Sequence, residues 1–259
     1  MIGRQYLSGP LVRSVRASWP RSPSFGLFQL WAEPGVAELY AMAGLDFVVI
    51  DMEAGALDRA AVMRIVQALH GHDISVLVRL AAHDRPAIEH ALDIGADGVL
   101  VPKVESADEA RAVAEAAKFP PLGRRGVNPV RASGYFADVP GYLAGANDST
   151  LCLVQIESAA AAAVASDIAA VPGIDGLFIG MGDLAMDLGQ PGVMTGDRVD
   201  TIRAAVLKAA SENGIVAGIF AYTEDLARSY RDEGFEVIAV GNEIKLLREA
   251  ITRTAGNVR

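Results

Sequence analysis

The sequence of 259 residues has a single cysteine, Cys152, and no excess of basic side chains. One cysteine excludes both a disulfide framework and a cysteine-based zinc site within the chain, so a reducing cytoplasm is the expected compartment. With 23 Lys and Arg against 32 Asp and Glu, the formal net charge of −9 repels nucleic acid and anionic membranes. No apolar stretch reaches the roughly 18 to 20 residues that a membrane-spanning helix needs. These absences predict a soluble protein with neither nucleic acid nor membrane as a partner.

The first 24 residues differ in composition from the rest of the chain. They contain four arginines, three prolines and several serines, and no acid appears before Glu33. An Arg- and Ser-rich start is typical of an organellar targeting segment, but the prolines interrupt the amphipathic helix that such a segment forms. We therefore favour an N-terminal arm over residues 1–24, flexible or packed on a partner, in front of one domain over residues 25–259.

From residue 25 onward, short apolar runs alternate with longer Ala-rich stretches of helical periodicity, the pattern of repeated βα units. The predicted strands are Gly26 to Leu30, Phe47 to Ile50, Ser75 to Arg79, Gly98 to Val101, Leu151 to Ile156, Gly176 to Ile179, Val216 to Phe220 and Val237 to Val240. Glycines such as Gly214 and Gly234 follow the intervening helices, where a left-handed cap is expected. Eight such repeats predict an α/β fold, a single-domain (β/α)8 TIM barrel, in preference to an open doubly wound sheet.

One connection departs from the repeat. Residues 119–150 are rich in Gly, Pro, Arg and Asn, and a long irregular loop in a compact domain is usually functional or disordered. A solvated insertion or a contact between subunits is the alternative. Several side chains in this loop could contact a second, larger or more anionic substrate: Arg124, Arg125, Asn128, Arg131 and Tyr135.

Polar side chains stand where the predicted strands end. In a barrel of this kind the active site lies at the carboxyl ends of the strands. The residues found there, in chain order, are Asp51 and Glu53 after the second strand, Arg79 at the end of the third, Gln155 and Glu157 at the fifth, and Gly180, Met181, Gly182 and Asp183 after the sixth. Carboxylates, an arginine and a glutamine are therefore expected to converge on one rim.

Two of these carboxylates, Glu157 and Asp183, follow adjacent strands and would repel each other unless a cation or a shared proton intervened. Oxygen ligands with open positions suit Mg²⁺, Mn²⁺ or Co²⁺. The alternative is that each acid caps the helix that follows it. Arg79 offers a planar fork for a substrate carboxylate, and its alternative is an ion pair with Asp51 or Glu53.

The turn Gly180-Met181-Gly182 precedes a predicted helix, where its backbone amides could hold a substrate carboxylate. With Ala185 it also matches the dinucleotide pattern G-x-G-x-x-A. That interpretation fails because Asp183 would face the pyrophosphate, the unit comes sixth instead of first, and no acid ends a strand about twenty residues later.

At these positions the chain resembles the HpcH/HpaI family of metal-dependent class II aldolases, relatives of the citrate lyase β-chain and macrophomate synthase in the phosphoenolpyruvate/pyruvate barrel superfamily. The resemblance runs from about Phe25 to Ile251. It is carried by residues 43–53 (AGLDFVVIDME), Val78-Arg79, residues 92–96 (LDIGA) with Val101-Pro102, residues 119–126 (FPPLGRRG), Gln155-Ile156-Glu157, residues 173–180 (GIDGLFIG) and Asp183-Leu184.

The resemblance implies roles for several residues. Glu157 and Asp183 correspond to the metal carboxylates, Arg79 to the arginine that binds the 2-oxo acid and stabilises the enolate oxygen, and Gln155 lies beside the metal. In that chemistry the metal chelates the keto and carboxylate oxygens of pyruvate or oxaloacetate. We assign catalytic roles to Arg79, Asp51 and Glu53, substrate contacts to Arg79, Gln155, Gly180, Met181 and Gly182, and the divalent metal to Glu157 and Asp183.

The chain departs from the family pattern at one position. The family motif Asp-x-Glu-His supplies the His that acts as general base, and here it reads Asp51-Met52-Glu53-Ala54. Loss of a general base commonly costs 10²- to 10⁴-fold in rate, and among the remaining histidines His83 alone is expected near the rim. The favoured hypothesis is still a carbon–carbon lyase or synthase acting through the enolate of a small 2-oxo acid.

Two alternatives stay open. One is a citrate synthase-like condensation of oxaloacetate with acetyl-CoA in siderophore biosynthesis, and the other is a non-catalytic 2-oxo acid binding protein. The resemblance also implies a homo-oligomer based on dimers, such as a hexamer, in which the C-terminal helix from Ile244 to Thr252 is exchanged between subunits.

Overall fold

The barrel is closed in the computed structural model, which describes residues 23–259. The predicted arm over residues 1–24 lies almost entirely outside the described residues. Eight parallel strands are hydrogen-bonded in chain order, and β8 pairs with β1 to complete the ring. The strands are β1 Ser24–Gln29, β2 Phe47–Asp51, β3 Ser75–Arg79, β4 Gly98–Val101, β5 Leu151–Ile156, β6 Gly176–Ile179, β7 Val216–Ala221 and β8 Val237–Asn242. The single-domain (β/α)8 prediction is confirmed.

Helices surround the barrel, and at least one follows each strand. They are α1 Pro34–Met42, α2 Arg59–Ala68, α3 Arg85–Asp93, α4 Ala107–Ala117, α5 Val139–Ser149, α6 Ala159–Ala163, α7 Ala165–Ala169, α8 Met181–Asp187, α9 Asp197–Asn213, α10 Glu224–Glu233 and α11 Glu243–Asn257. Helices α9 and α10 are followed by the caps Gly214 and Gly234, with φ of 65° and 109°, as predicted from the sequence. Among residues 23–259, no helix combines the length and the apolar character that crossing a bilayer requires.

The apolar residues of the strands form two layers. Successive side chains along a strand point to opposite faces, so Phe47 and Val49 of β2 enter the barrel interior while Val48 and Ile50 pack under the helices. All five residues of β2 are buried. A strand buried on both faces has an unbroken apolar sequence, and this is why such short runs could be recognised as strands.

Three aspartates fasten the amino-terminal ends of the strands. Each stands just before β2, β4 or β6, in a Gly-x-Asp sequence, and its carboxylate accepts a backbone amide near the start of the preceding strand. The pairs are Asp46 with the amide of Phe25 at 2.8 Å, Asp97 with that of Val76 at 2.8 Å, and Asp175 with that of Cys152 at 2.9 Å. These bonds satisfy strand-end amides that would otherwise be buried without an acceptor.

Helix α2 begins at a side-chain cap whose removal has a predictable effect. The Asp58 carboxylate accepts the backbone N–H of Ala61 at 2.7 Å. We expect Asp58→Ala to lower the free energy of unfolding by about 1 kcal/mol, because one amide in the first turn loses its acceptor. Urea denaturation measures the change. Asp58→Asn keeps an acceptor and serves as the control, so an equal loss in both variants would contradict the capping role.

The segment over residues 119–150 is irregular, as predicted, only in its first part, up to Asp138. Its second part is helix α5, which Asp138 caps by accepting the amide of Gly141 at 2.8 Å. The first part lies beside α3, where Arg125 pairs with Asp93 at 2.6 Å and Arg131 donates to the carbonyl of Ile94 at 2.7 Å.

The predicted contact of this segment with a second substrate is therefore wrong within one chain. None of its arginines, nor Asn128 or Tyr135, lines the cavity at the carboxyl ends of the strands. The physical reason is that the segment packs along α3, outside the ring of strands, where the carbonyl of Arg124 accepts from Arg85 and Arg131 donates to Ile94.

Candidate active site

A cavity of about 230 Å³ opens at the carboxyl ends of the strands. It has an apolar wall and a polar wall. Its lining residues are Phe28, Leu30, Asp51, Ala54, Arg79, Gln155, Glu157, Gly180, Met181, Gly182, Asp183, Phe220, Tyr222 and Asn242. All the site residues predicted at the strand ends belong to this set except Glu53, which contacts Arg79 beside it.

Arg79 is fixed by two acids and an aromatic ring. Its Nε and Nη2 donate to the two carboxylate oxygens of Asp51 at 2.9 and 2.7 Å, and its Nη1 lies 3.0 Å from Glu53. The guanidinium carbon is 5.0 Å from the centre of the Phe28 ring. The ion pair considered as the alternative is thus present. An arginine has five N–H groups, so two still remain for a ligand in the cavity.

Asp51 is the anchor of this pair. It is 1% exposed, and its Oδ1 also accepts the backbone amides of Glu53 and Ala54 at 3.0 and 3.2 Å. These bonds hold the turn after β2 against the end of β3. Asp51 and Glu53 therefore position Arg79 in this structure, and their predicted catalytic roles stay predictions.

Lys103 links the turn after β4 to Glu53 and Glu157. Its ammonium pairs with Glu53 at 2.9 Å and its backbone amide donates to Oε2 of Glu157 at 3.0 Å. The residue has a φ of 54°, in the left-handed region that non-glycine residues seldom adopt. The bond to Glu53 raises the pKa of Lys103. Strain of this kind concentrates at functional sites.

Glu157 is a buried carboxylate that does not cap the following helix. Helix α6 is capped by Ser158, whereas Oε1 of Glu157 accepts from Nε2 of Gln155 at 3.0 Å. Burial, together with the nearby charges of Asp183 and Glu53, raises the pKa of Glu157 to about 7 against the opposing effect of the Lys103 amide. A cation beside Glu157 would relieve this repulsion.

Asp183 lies in the first turn of α8, whose N-cap is Gly180. No side-chain cap bond is present at this end of the helix. The amides of the first helical residues have no partner within a helix, and Gly180, Met181 and Gly182 all line the cavity. Their predicted contact with a substrate carboxylate agrees with this position and stays a prediction.

Gly180 has no room for a side chain. A Cβ atom there would clash with Oε1 of Glu157 and lie 2.7 Å from its Cγ. The close approach of the β6 end to Glu157 therefore requires glycine.

Gln155 presents an unsatisfied polar atom. It is buried, its Nε2 donates to Glu157, and within residues 23–259 its Oε1 has no hydrogen-bond partner. An orphaned buried oxygen at a functional site indicates that a ligand completes the polar set.

The sequence-based interpretation missed the aromatic side chains of the cavity and the uncharged polar residue Asn242. Phe28, Phe220, Tyr222 and Asn242 come from strands β1, β7 and β8, or directly follow them, and carry no charge. The signal that could have found them is the two-residue period, because Phe220 and Tyr222 are two positions apart where β7 ends and therefore point to the same side.

No histidine lines the cavity within the described chain. His83, expected near the rim, hydrogen-bonds through Nε2 to the carbonyl of Pro102 and lies outside the lining set. Ala54 stands on the cavity wall with no group that could move a proton.

Comparison with known proteins shows which family this chain is similar to. The family model for HpcH/HpaI aldolase/citrate lyase matches residues 24–250. The hydroxypyruvate/pyruvate aldolase of Roseovarius nubinhibens is 37% identical over 236 residues, 90% of this chain and 91% of that protein. The 2-dehydro-3,6-dideoxy-6-sulfogluconate aldolase of Pseudomonas putida is 34% identical over 227 residues, 88% of this chain and 89% of that protein.

Among solved structures, an HpcH/HpaI aldolase/citrate lyase family protein from Burkholderia cenocepacia J2315 superposes with a TM-score of 0.89. It is 33% identical, and the match covers 95% of this chain and 99% of that one. The barrel, the site and these relatives together define an enzyme that acts on carbon–carbon bonds, a lyase of the aldolase type. More particularly, the chain belongs to the HpcH/HpaI aldolase/citrate lyase family.

Proposed function

We propose that this enzyme catalyses reversible aldol cleavage through the enolate of a small 2-oxo acid, pyruvate or hydroxypyruvate, with a divalent cation held by Glu157 and Asp183. The observation that carries the proposal is the meeting of these two carboxylates, the unpartnered oxygen of Gln155 and the N–H groups of Arg79 on one cavity. The names of the two aldolase relatives support the choice of reaction.

The donor set fits a hard divalent cation. The proposed protein ligands are two in number, because among residues 23–259 no group of three or more His, Cys, Asp or Glu side chains could hold a metal. Mg²⁺ is commonly bound by one or two carboxylates together with water and substrate oxygens, which is what a pair such as Glu157 and Asp183 can provide. Such a cation would supply Lewis-acid stabilisation of the negative charge that develops on the keto oxygen.

Other side chains of the cavity bind the substrate and exclude water. Arg79, fixed by Asp51, offers two N–H groups to the substrate carboxylate or the enolate oxygen. Phe28 and Phe220 form an apolar wall that limits water around the enolate. Low water content strengthens the interaction between an anionic substrate and Arg79.

The experiment is a two-part assay with Mg²⁺, Mn²⁺ or Co²⁺. In the first part, exchange of the pyruvate methyl protons with D₂O, followed by NMR, reports enolate formation alone. In the second, pyruvate or hydroxypyruvate is offered with a panel of aldehydes, and oxaloacetate with acetyl-CoA, to identify the carbon–carbon partner. The proposal expects metal-dependent exchange together with aldol addition.

Three results would contradict the proposal in different ways. Exchange without any added or bound metal would exclude the role of the cation. Citrate formation without aldol addition would replace the aldolase by a citrate synthase-like enzyme. Tight binding of pyruvate with neither exchange nor addition would leave a binding protein.

A variant of Gly180 tests the cation site through binding. We expect Gly180→Ala to weaken Mn²⁺ binding about 10- to 100-fold, because the added Cβ displaces the Glu157 carboxylate and a misplaced supporting group commonly costs that much. Calorimetric titration with Mn²⁺ measures it. Gly145→Ala on α5, where a Cβ meets no atom within 4 Å, is the control. Unchanged affinity in Gly180→Ala would argue against Glu157 as a ligand.

We also propose that the enzyme is a homo-oligomer in which a second copy covers α11. The buried residue of this helix is Glu243, while its apolar side chains Ile244, Leu246, Leu247 and Ile251 are exposed. A helix normally buries an apolar stripe. We expect light scattering to show a dimer or larger assembly, and Leu247→Glu with Ile251→Glu to shift it toward the monomer. A wild-type monomer would contradict the proposal.

A further inference from the structure

Tyr222 follows β7 and stands on the cavity at the end of a stack of aromatic rings. The Tyr222 ring packs edge-on against Phe220 at 4.9 Å, and Phe220 packs edge-on against Phe28 at 5.2 Å. Phe28 in turn lies under the guanidinium of Arg79. This packing fixes the plane of the phenol and its position relative to the substrate-binding arginine.

The Tyr222 hydroxyl occupies space that exists because residue 182 is glycine. A Cβ atom on Gly182 would lie 2.5 Å from the hydroxyl oxygen and 3.8 Å from Cζ. The first distance is far too short for a real contact, whereas the second is ordinary van der Waals packing. The hydroxyl is thus seated against the backbone of Gly182, one residue before Asp183.

The hydroxyl is available to a ligand. Tyr222 is 39% exposed and lines the cavity, and within residues 23–259 its hydroxyl makes no hydrogen bond. A phenol ordinarily has a pKa of about 10, so it keeps its proton at neutral pH and is a hydrogen-bond donor.

Several other side chains of the cavity are engaged with one another or with the backbone. Asp51 neutralises Arg79, Glu157 accepts from Gln155 and Lys103, and the side-chain oxygen of Asn242 caps α11 by accepting the amide of Lys245 at 3.0 Å. Arg79 faces the 2-oxo acid in the proposed function. A second substrate that enters beside the enolate meets the unengaged donor of Tyr222.

We propose that Tyr222 is a catalytic residue that donates a hydrogen bond to the carbonyl oxygen of the aldehyde. This inference rests on the proposed function. As the enolate carbon bonds to the aldehyde carbon, the carbonyl electron pair moves onto oxygen, and the Tyr222 O–H stabilises the alkoxide that forms. A water molecule then supplies the proton that makes the product hydroxyl, and cleavage reverses these steps.

Tyr222→Phe tests the proposal by separating two steps. Enolate formation does not involve the aldehyde, so we expect metal-dependent exchange of the pyruvate methyl protons to continue at the wild-type rate. Aldol addition and cleavage should fall about 10²-fold in kcat, the usual loss when one oxyanion donor is removed. Tyr230→Phe is the matched control, since the Tyr230 hydroxyl on α10 lies 3.5 Å from the carbonyl of Met194, outside the cavity.

Gly182→Ala provides a second, independent variant that keeps the phenol. The added methyl group displaces the hydroxyl, so we expect the ratio of aldol addition to methyl-proton exchange to fall by a similar factor. In the Tyr222→Phe background there is no hydroxyl to displace, and Gly182→Ala should cause no further loss. Such non-additivity is what two residues acting through one contact produce.

The outcomes are distinct. Absence of exchange in the wild-type enzyme would overturn the proposed function and the inference with it. Exchange and aldol addition at wild-type rates in Tyr222→Phe would overturn the inference alone. Equal loss of both activities in Tyr222→Phe would assign Tyr222 to the enolate site, and additive losses in the double variant would exclude the contact with residue 182; each of these also contradicts the proposal.

Discussion

Glu157→Gln is expected to lower the rate of metal-dependent pyruvate enolisation by about 10³-fold. Lewis-acid stabilisation by a bound cation contributes several kcal/mol, and each ~1.36 kcal/mol changes a rate tenfold. The glutamine has nearly the shape of Glu157 and still offers an oxygen to Nε2 of Gln155, but it lacks the charge that holds a divalent ion. The rate of methyl-proton exchange in D₂O measures the effect.

The fold of this variant should be intact. Glu157 is 5% exposed and lies near the negative charges of Asp183 and Glu53. Removal of one of these charges eases their repulsion, so thermal unfolding of the metal-free protein should occur at no lower temperature than in the wild type. Glu212→Gln, on the exposed surface of α9, is the control for the loss of a carboxylate. Full exchange activity in Glu157→Gln would refute the proposed cation site.

Replacement of Arg79 should lower the stability of the fold as well as the activity. We expect Arg79→Ala to lower the free energy of unfolding by about 3 to 5 kcal/mol, because breaking a buried ion pair leaves its partner uncompensated. The partner is Asp51, which is 1% exposed. Urea denaturation measures the loss. The exposed pair of Arg85 with Glu89 provides the control, since Arg85→Ala should cost under ~1 kcal/mol.

Two further variants separate charge from geometry at this position. Arg79→Lys keeps a positive charge next to Asp51 and should recover much of the stability. It loses the planar fork, so affinity for the 2-oxo acid should stay low. Arg79→Ala with Asp51→Asn removes both charges, keeps an oxygen for the amides of Glu53 and Ala54, and should be more stable than Arg79→Ala alone. Equal stability of Arg79→Ala and the wild type would show that the pair contributes little.

The eight strands could be predicted because a strand that is buried on both faces has an almost continuous run of apolar residues. Short runs such as those of β2 and β5 are almost wholly apolar, and the glycines after helices are required by left-handed backbone at Gly214 and Gly234. Helix α5 could not be predicted in this way. It is held by contacts distant in sequence, among them the edge-on packing of Tyr142 on Phe119.

The charged residues of the site could be located from the ends of the predicted strands. Which of them form ion pairs with each other could not be predicted. Arg79 has two possible partners as far as sequence is concerned, a substrate or a neighbouring acid, and only the distances to Asp51 and Glu53 show that the acids are in contact. Tyr222 escaped notice because a neutral side chain after β7 carries no mark of function. Its proposed role rests on the contact of its hydroxyl with Gly182, which is distant in the chain, so the contact is known from the structure alone.

The aspartates that fasten the strand ends have a consequence for how the chain assembles during synthesis. The bonds made by Asp46, Asp97 and Asp175 close short loops, with sequence separations of 21, 21 and 23 residues. Short loops lose little entropy on closure and form early. Each two-strand unit can therefore take shape as it leaves the ribosome. The pairing of β1 with β8, which brings Ser24 next to Val237, can form only after the last strand has been made. Barrel closure is therefore the late and slow step.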